Sequence, residues 1–140
     1  MPKTDPQVLA DRYAALWNEP DAELRRTGVR RMWRADGVHV LQPPQEMRRS
    51  AVELGFADPV LEARGYRELE ARVRTAYEEF VAPGGLLFRA RADAEQLHDV
   101  VKFHWEAVDT GTGEVGGVGL EFLVLDEDGR IRSDFQFIEN

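Results

Sequence analysis

The segment from Val115 to Leu125 constrains the fold most, because it is a long apolar run with a single charge. Its composition and alternation are typical of a buried or half-buried β-strand. Side chains alternate along a strand, so Glu121 shares one face with Gly117 and Gly119. A carboxylate on an apolar strand is costly unless it is paired, hydrated or neutralised. The glycines predict a hollow on that face, so Glu121 either faces a cavity or is an exposed or interface acid.

The first half of the chain has helical periodicity in three places. Asp5 and Pro6 are typical of an N-cap and of the first helical position, and Asp21 is a second candidate cap. An amphipathic helix repeats its apolar residues every three to four positions. Three stripes follow this rule: Leu9, Tyr13, Leu16 and Trp17; Leu24, Gly28 and Met32 with Val29 and Trp33 beside them; and Tyr66, Leu69, Val73, Ala76, Tyr77 and Phe80.

The second half of the chain is strand-like. Asp36 and Gly37 predict a turn into a short strand at 38–41, and four further strands are predicted at 86–92, 96–108, 115–125 and 130–139. Short turns between the last four predict an antiparallel meander. Residues 42–63 are too long for a simple loop, so we interpret them as a lid or rim that could hold a short helix at 46–54. The 140 residues are then one α+β domain, 1–140, in which the sheet wraps three helices.

The charge balance excludes several classes of partner. A net charge of −8 argues against non-specific nucleic-acid or anionic-membrane binding, which needs a basic surface. The one basic cluster is Arg25, Arg26, Arg30, Arg31 and Arg34, which we predict to be the solvated face of the second helix. With no cysteine, no membrane-length apolar run and no signal-peptide pattern at its start, the chain is expected in the cytoplasm.

Two motif-like patterns carry no cofactor prediction. Gly111, Gly113 and Gly116 match the glycine spacing of dinucleotide-binding loops, but a strand follows them where such loops need a helix. His98 and His104 lie six residues apart on one predicted strand, roughly 20 Å, which is too far for one metal ion. We therefore predict neither a metal nor a cofactor.

Three segments in order carry a family resemblance. They are RYAALWNEPD at 12–21, MWRADGVHV at 32–40 and LDEDGRI at 125–131. In their order and spacing the chain resembles the nuclear transport factor 2-like (NTF2-like) superfamily, and within it the SnoaL-like proteins, over nearly all its length except an insert at 45–62. The resemblance implies a cone, in which helices and a strongly curved antiparallel sheet enclose one apolar cavity. It also implies a homodimer joined through the sheet, as in many members.

The resemblance also implies site residues, since the superfamily includes ketosteroid isomerases. Their first-helix tyrosine, which donates to the substrate oxyanion, matches Tyr13. Their strand acid, which stays protonated and donates a second hydrogen bond, matches Glu121. Their general base is an aspartate, and Leu41 stands at that position, so the chain lacks the proton-abstracting group of that reaction.

Other members of the superfamily add two candidates. Scytalone dehydratase uses strand histidines, and only His39 could enter the cavity here. Limonene epoxide hydrolase uses an Asp–Arg–Asp arrangement, for which Asp134 is a possible acid with Arg89 or Arg91 as its partner. The candidate catalytic residues are therefore Tyr13, His39, Glu121 and Asp134.

Three functions remain open because this fold hosts many chemistries. The first is binding of a small apolar or aromatic molecule, with Trp17, Trp33, Leu41, Phe103, Trp105 and Gln136 as candidate ligand contacts. The second is a cofactor-independent acid–base enzyme of the isomerase, cyclase, dehydratase or epoxide hydrolase type, acting on a polyketide-like or carbonyl substrate. In it His39 or Asp134 moves the proton, and Tyr13 with protonated Glu121 holds the oxyanion. The third is a domain for dimerisation or assembly.

Overall fold

In the part of the chain that the structure describes, three long α-helices lie against one face of a curved, mixed β-sheet that does not close on itself. The computed structural model describes residues 5–42, 45, 49–50, 53–54 and 61–139. The helices are α1 (Pro6–Trp17), α2 (Ala22–Met32) and α3 (Gly65–Ala76), which continues into a π-helical turn, Tyr77–Val81. The strands are β1 (Trp33–Leu41), β2 (Leu61–Arg64), β3 (Leu86–Ala90), β4 (Glu95–Leu97), β5 (Val100–Asp109), β6 (Val115–Leu125) and β7 (Ile131–Glu139). The predicted α+β class is confirmed.

The strand order in the sheet is β2-β1-β7-β6-β5-β3, with β4 paired to β5. The pairs β3–β5, β5–β6 and β6–β7 are antiparallel, which confirms the predicted meander. The pair β1–β7 is parallel, so β1 extends the meander by lying next to its last strand, β7. This pairing brings residues of β1 and β7 that are far apart in sequence to the same part of the sheet.

The first strand starts earlier than predicted. Trp33, which we placed on the second helix, opens β1 and pairs with Ile131. The next residue pair of the β1–β7 ladder is Val38 with Ser133. Residues 34–37 therefore form a bulge within the strand and not a turn before it. A Cβ at Gly37 would lie 3.0 Å from the carbonyl oxygens of Arg34 and Ile131, and this close approach explains the glycine.

The predicted strand at 96–108 is two strands. His98 has φ 53°, a left-handed conformation that turns the chain between β4 and β5. His98 and His104 therefore do not share a strand, and His104 instead lies beside Asp93 and Glu139 on the outer sheet face. The predicted insert at 42–63 also ends differently, because β2 already begins at Leu61 and pairs with β1. Most of the rest of that insert, including most of the predicted helix at 46–54, lies outside the described residues.

The helices begin at the predicted caps. The Asp5 carboxylate accepts from the backbone N–H groups of Gln7 and Val8, and Asp21 does the same for α2. Arg25 corrects the prediction of a solvated arginine face, because it is only 8% exposed. Its guanidinium donates to two backbone carbonyls before α2 and lies over the Tyr77 ring, 4.5 Å from the centroid. No helix in the described ranges has the length and hydropathy that a membrane crossing needs.

The core fills the space between the helices and the inner face of the sheet. Trp105 of β5 lies directly opposite Gly119 of β6, and its indole covers this glycine so closely that an added Cβ would overlap the ring. Gly119 therefore makes room for a side chain. The largest apolar side chains of the core are Trp33, Phe103, Leu69, Leu123, Ile131, Val29, Val73 and Val101.

We predict that Gly119→Ala destabilises the fold by about 1–3 kcal/mol, because the new methyl group must push the Trp105 indole out of place. The matched control is Gly117→Ala, whose Cβ would make an ordinary contact at 3.7 Å with the Cβ of Ala107. Its effect is expected within about 0.5 kcal/mol. Urea unfolding of both variants measures the difference, and equal losses would contradict the packing role of Gly119.

Candidate functional site

A cavity of about 800 Å³ lies between α1, α3 and the inner face of the sheet. Its walls are largely apolar and combine helix residues with residues of all the long strands. The lining includes Tyr13, Ala14 and Trp17 of α1, Ala71, Arg72 and Thr75 of α3, His39 and Leu41 of β1, Phe88 of β3, Trp105 and Ala107 of β5, Gly117 of β6, and Gln136 and Ile138 of β7. The polar side chains His39, Arg72 and Gln136 lie together on one part of this wall.

The candidate ligand contacts divide into two groups. Those that line the cavity are Trp17, Leu41, Trp105 and Gln136. Trp33 and Phe103 are fully buried and do not line it, which corrects the prediction for both. Their rings pack against Tyr13, with centroids 5.8 and 5.6 Å from its ring, because they point into the core behind the first helix.

The side chains of Tyr13, Asp134 and Glu121 meet behind the cavity wall. The Tyr13 hydroxyl donates to Asp134 Oδ2 at 2.6 Å and lies 3.3 Å from Glu121 Oε2. Asp134 and Glu121 are both fully buried, and neither lines the cavity. The strands bring them together because Leu123 pairs with Asp134 and Glu121 pairs with Gln136 across β6 and β7.

Burial raises the pKa of Glu121 well above its usual range, and the neighbouring Asp134 carboxylate raises it further. Burial and the neighbouring Asp134 therefore both favour the protonated form of Glu121. The pKa of Tyr13 is also raised, first by burial and then by the charge of Asp134. Tyr13 and Glu121 are thus both favoured in their protonated forms, and the Tyr13 hydroxyl donates to Asp134.

The Trp105 indole fills the space that Gly119 leaves beside Glu121. Its indole N–H donates to Glu121 Oε1 at 2.9 Å while the ring lies over Gly119. The predicted hollow beside Glu121 is therefore wrong at Gly119, where the ring fills it, whereas Gly117 further along the strand does border the cavity. The indole also covers the acid, so the carboxyl pair lies one layer behind the wall.

His39 connects this carboxyl pair to the cavity. Arg72 Nη1 lies 2.9 Å from His39 Nδ1, and a guanidinium only donates, so Nδ1 accepts. The ring proton is then on Nε2, which donates to Gln136 Oε1 at 2.9 Å and lies 3.9 Å from Asp134 Oδ2. Burial lowers the pKa of His39, so the ring is neutral at neutral pH and both nitrogens are engaged.

Arg72 is the site residue that the sequence analysis missed. The sequence pattern does single out this residue, because Arg72 lies three residues after Leu69 and four before Ala76, within the apolar stripe of α3. An arginine in such a stripe, like Glu121 in its strand, is a charge where the pattern calls for an apolar residue. Arg89 and Arg91, proposed as partners of Asp134, instead pair with Glu106 on the outer face.

His39, Glu121 and Asp134 also bring three potential metal ligands within 4.8 Å of one another. Metal binding through His39 requires a free ring lone pair, but Nδ1 accepts from Arg72 and Nε2 carries the proton. Glu121 would also have to lose its proton, which burial and Asp134 both oppose. The donor set therefore fits a hydrogen-bonded network better than a cation site.

No protein-family model and no curated protein sequence matches the chain. Solved structures resemble it over nearly its whole length. A putative isomerase of the SnoaL-like family from Agrobacterium tumefaciens superposes with a TM-score of 0.75 at 21% identity, covering 96% of this chain and 97% of that one. A SnoaL-like protein of unknown function from Burkholderia thailandensis gives 0.60 at 16%, covering 99% and 100%. An NTF2-like protein of unknown function from Mesorhizobium loti gives 0.57 at 13%, covering 99% and 97%.

We predict that Glu121→Gln becomes more stable relative to the unchanged protein as the pH rises from about 5 to about 8. Above the unfolded glutamate pKa of about 4.3 the native state holds the Glu121 proton and the unfolded state does not, so stability falls with pH. Glutamine keeps the shape and the donor but has no proton to lose. The slope of the difference, measured by urea unfolding at each pH, is at most about 1.4 kcal/mol per pH unit.

The control is Glu106→Gln on the outer face. Hydrogen bonds from Arg91 and Arg89 lower the pKa of Glu106, so its contribution is complete above the unfolded pKa and is lost only as the pH falls below it. The difference between this variant and the unchanged protein is therefore expected to be flat over the same range. A flat difference for Glu121→Gln as well would show that Glu121 is ionised in the folded protein.

Proposed function

We propose that this chain, whose fold is that of the SnoaL-like and NTF2-like proteins, binds a small apolar or aromatic molecule in the cavity. The observation that carries the proposal is the cavity itself, which at about 800 Å³ has the size of known small-molecule sites. Aromatic side chains form much of its wall, and its polar groups are few and lie together. This distribution fits a ligand with a large apolar body and one polar group.

Binding without catalysis is favoured over the acid–base enzyme by the directions of the hydrogen bonds. The Tyr13 hydroxyl donates to Asp134, and Glu121 lies behind the wall under the Trp105 indole, so neither is available to hold a substrate oxyanion. His39 presents no free lone pair to the cavity, and Leu41 lines the wall where ketosteroid isomerases have their base. An enzyme built on this site would need Gln136 to turn away and release the His39 Nε2–H as an acid.

We predict that the fluorescent probe N-phenyl-1-naphthylamine binds in the cavity, and that Ala71→Trp weakens its binding by about tenfold or more, or 1.4 kcal/mol. Ala71 lies on α3 and lines the cavity, so the indole would occupy ligand space. The matched control is Ala92→Trp at an exposed position after β3, which should bind the probe like the unchanged protein. Fluorescence titration gives the affinities, and equal affinities for both variants would place the probe elsewhere.

The ligand itself can be sought directly. Native mass spectrometry of protein purified without added ligand should detect a co-purified small molecule, whose mass would identify the ligand class. Loss of that molecule in Ala71→Trp, but not in Ala92→Trp, would link it to the cavity.

We further propose that two copies of the chain associate through the outer face of the sheet. Leu120, Phe122, Phe135 and Phe137 form an apolar patch there, in which the Phe122 and Phe137 rings are 5.8 Å apart at 84°. Phe135 and Phe137 are 39% and 44% exposed, which is high for large aromatic side chains. Lys102, His104, Glu106 and Glu139 flank the patch with both signs of charge, so the face can complement a second copy of itself.

We predict that Phe137→Glu converts a dimer into a monomer, because two carboxylates would be buried at the shared face. The control is Leu24→Glu, since Leu24 is 56% exposed on α2, away from the outer sheet face. Sedimentation velocity measures the assembly state of each variant. A monomeric unchanged protein, or dimers in both variants, would contradict association through this face.

A further inference from the structure

Arg72 is a half-buried cation of the cavity wall whose hydrogen bonds to the described residues all go to uncharged groups. Its Nη1 atom lies 2.9 Å from His39 Nδ1, 3.3 Å from the His39 carbonyl oxygen and 3.2 Å from the Leu61 carbonyl oxygen. Among the residues described, Arg72 forms no salt bridge, and Asp134 and Glu68 act on it only through their charge. A guanidinium has five N–H donors, and the contacts found here use only one of its terminal nitrogens.

From this arrangement we propose that the ligand of the cavity is an organic anion, and that the guanidinium of Arg72 binds its charged oxygen group. The ligand would combine an apolar or aromatic body with one ionised group such as a carboxylate. The inference rests on the proposed function, since it names the chemistry of the molecule that the cavity holds. Arginine suits this role because its planar donors match the geometry of a charged oxygen group.

The distribution of charge along the wall supports an anion. The charged residues among the lining side chains of the described chain are Arg72, Glu62, Glu68 and Glu79. The three glutamates are exposed, whereas Arg72 is half-buried beside His39. Exposed charges are screened over about 8 Å at physiological salt, and a charge withdrawn from water is screened much less. Arg72 therefore dominates the interaction with a ligand at the inner wall.

The counter-charges of Arg72 also lie at a distance. Burial lowers the pKa of its guanidinium, while Tyr13, Asp134 and Glu68 raise it without contacting it. The His39 ring separates Asp134 from Arg72, because its Nδ1 faces Arg72 and its Nε2 faces Asp134. A ligand oxygen beside the guanidinium would supply the direct charged partner that the described residues do not provide.

Donors outnumber acceptors on the same part of the wall. Gln136 uses its carbonyl oxygen to accept from His39, and its amide N–H groups have no acceptor among the described residues. Trp17 lines the cavity with a buried indole N–H that likewise lacks an acceptor in the part of the chain described. A ligand with acceptor oxygens would satisfy these donors, whereas an amine would add further donors and be repelled by the positive charge of Arg72.

Two matched fluorescent probes test the proposal. 8-Anilinonaphthalene-1-sulfonate has the same aromatic body as N-phenyl-1-naphthylamine and adds a sulfonate. We expect the sulfonate to bind the unchanged protein about tenfold more tightly or better, because it gains a charge-assisted pairing with Arg72. Arg72→Gln should remove most of that advantage and leave the neutral probe within about twofold, whereas Arg72→Lys should retain part of it.

The control is Arg74→Gln, an exposed arginine on the same helix, which should leave both affinities unchanged. If Arg72→Gln does not fold, Gln136→Glu provides the second test, because a carboxylate on the inner wall should selectively weaken binding of the sulfonate probe.

An unchanged preference for the sulfonate probe in Arg72→Gln, or an equal loss of affinity for both probes, would overturn the inference. If Ala71→Trp weakens the neutral probe but the sulfonate probe has no advantage, the proposed function stands and only the proposal of an anionic ligand is rejected. Failure of both probes to respond to Ala71→Trp would reject the proposed function.

Discussion

The hydrogen bond from Tyr13 to Asp134 joins the first helix to the last strand, and the rest of the site depends on it. A carboxylate without water is stable only when donors and a counter-charge compensate it. Asp134 accepts from Tyr13, lies beside Glu121, whose protonated form is favoured, and has Arg72 as a counter-charge beyond the His39 ring. Helices and sheet are thus fixed to each other by one polar network that crosses the apolar core, and the cavity lies on its open side.

The indole of Trp105 explains why this network lies behind the wall. It covers Gly119, donates to Glu121 and still presents part of its surface to the cavity. One side chain thereby satisfies a buried acid on one side and forms an aromatic wall on the other. The result is a spatial separation, in which Glu121 and Asp134 join the helices to the sheet behind the wall while Arg72 and Gln136 line the cavity.

Strand alternation and helical periodicity predicted the parts of this arrangement that depend on local pattern. Alternation groups Glu121 with Gly117 and Gly119 but leaves open whether that face borders a cavity, and the family resemblance adds Asp134 as a possible acid. Arg72 could have been found because it interrupts the stripe of α3. The indole over Gly119 could not be predicted, since it depends on the register that sets Trp105 opposite that glycine. The bulge in β1 was also out of reach, because it arises from pairing with β7, almost a hundred residues later.

The protonation states on the two sides of the His39 ring are linked through charge. Burial favours a protonated Glu121 and a neutral His39, so the charges that face each other across the ring are those of Asp134 and Arg72. An anion bound by Arg72 would bring a second negative charge into the same poorly screened region. Such a ligand is compatible with the network because Glu121 keeps its proton, and its charge would in turn make that proton harder to remove. Protonation of Glu121 therefore favours the anion binding that we propose, since an ionised Glu121 beside Asp134 would place a second negative charge opposite Arg72.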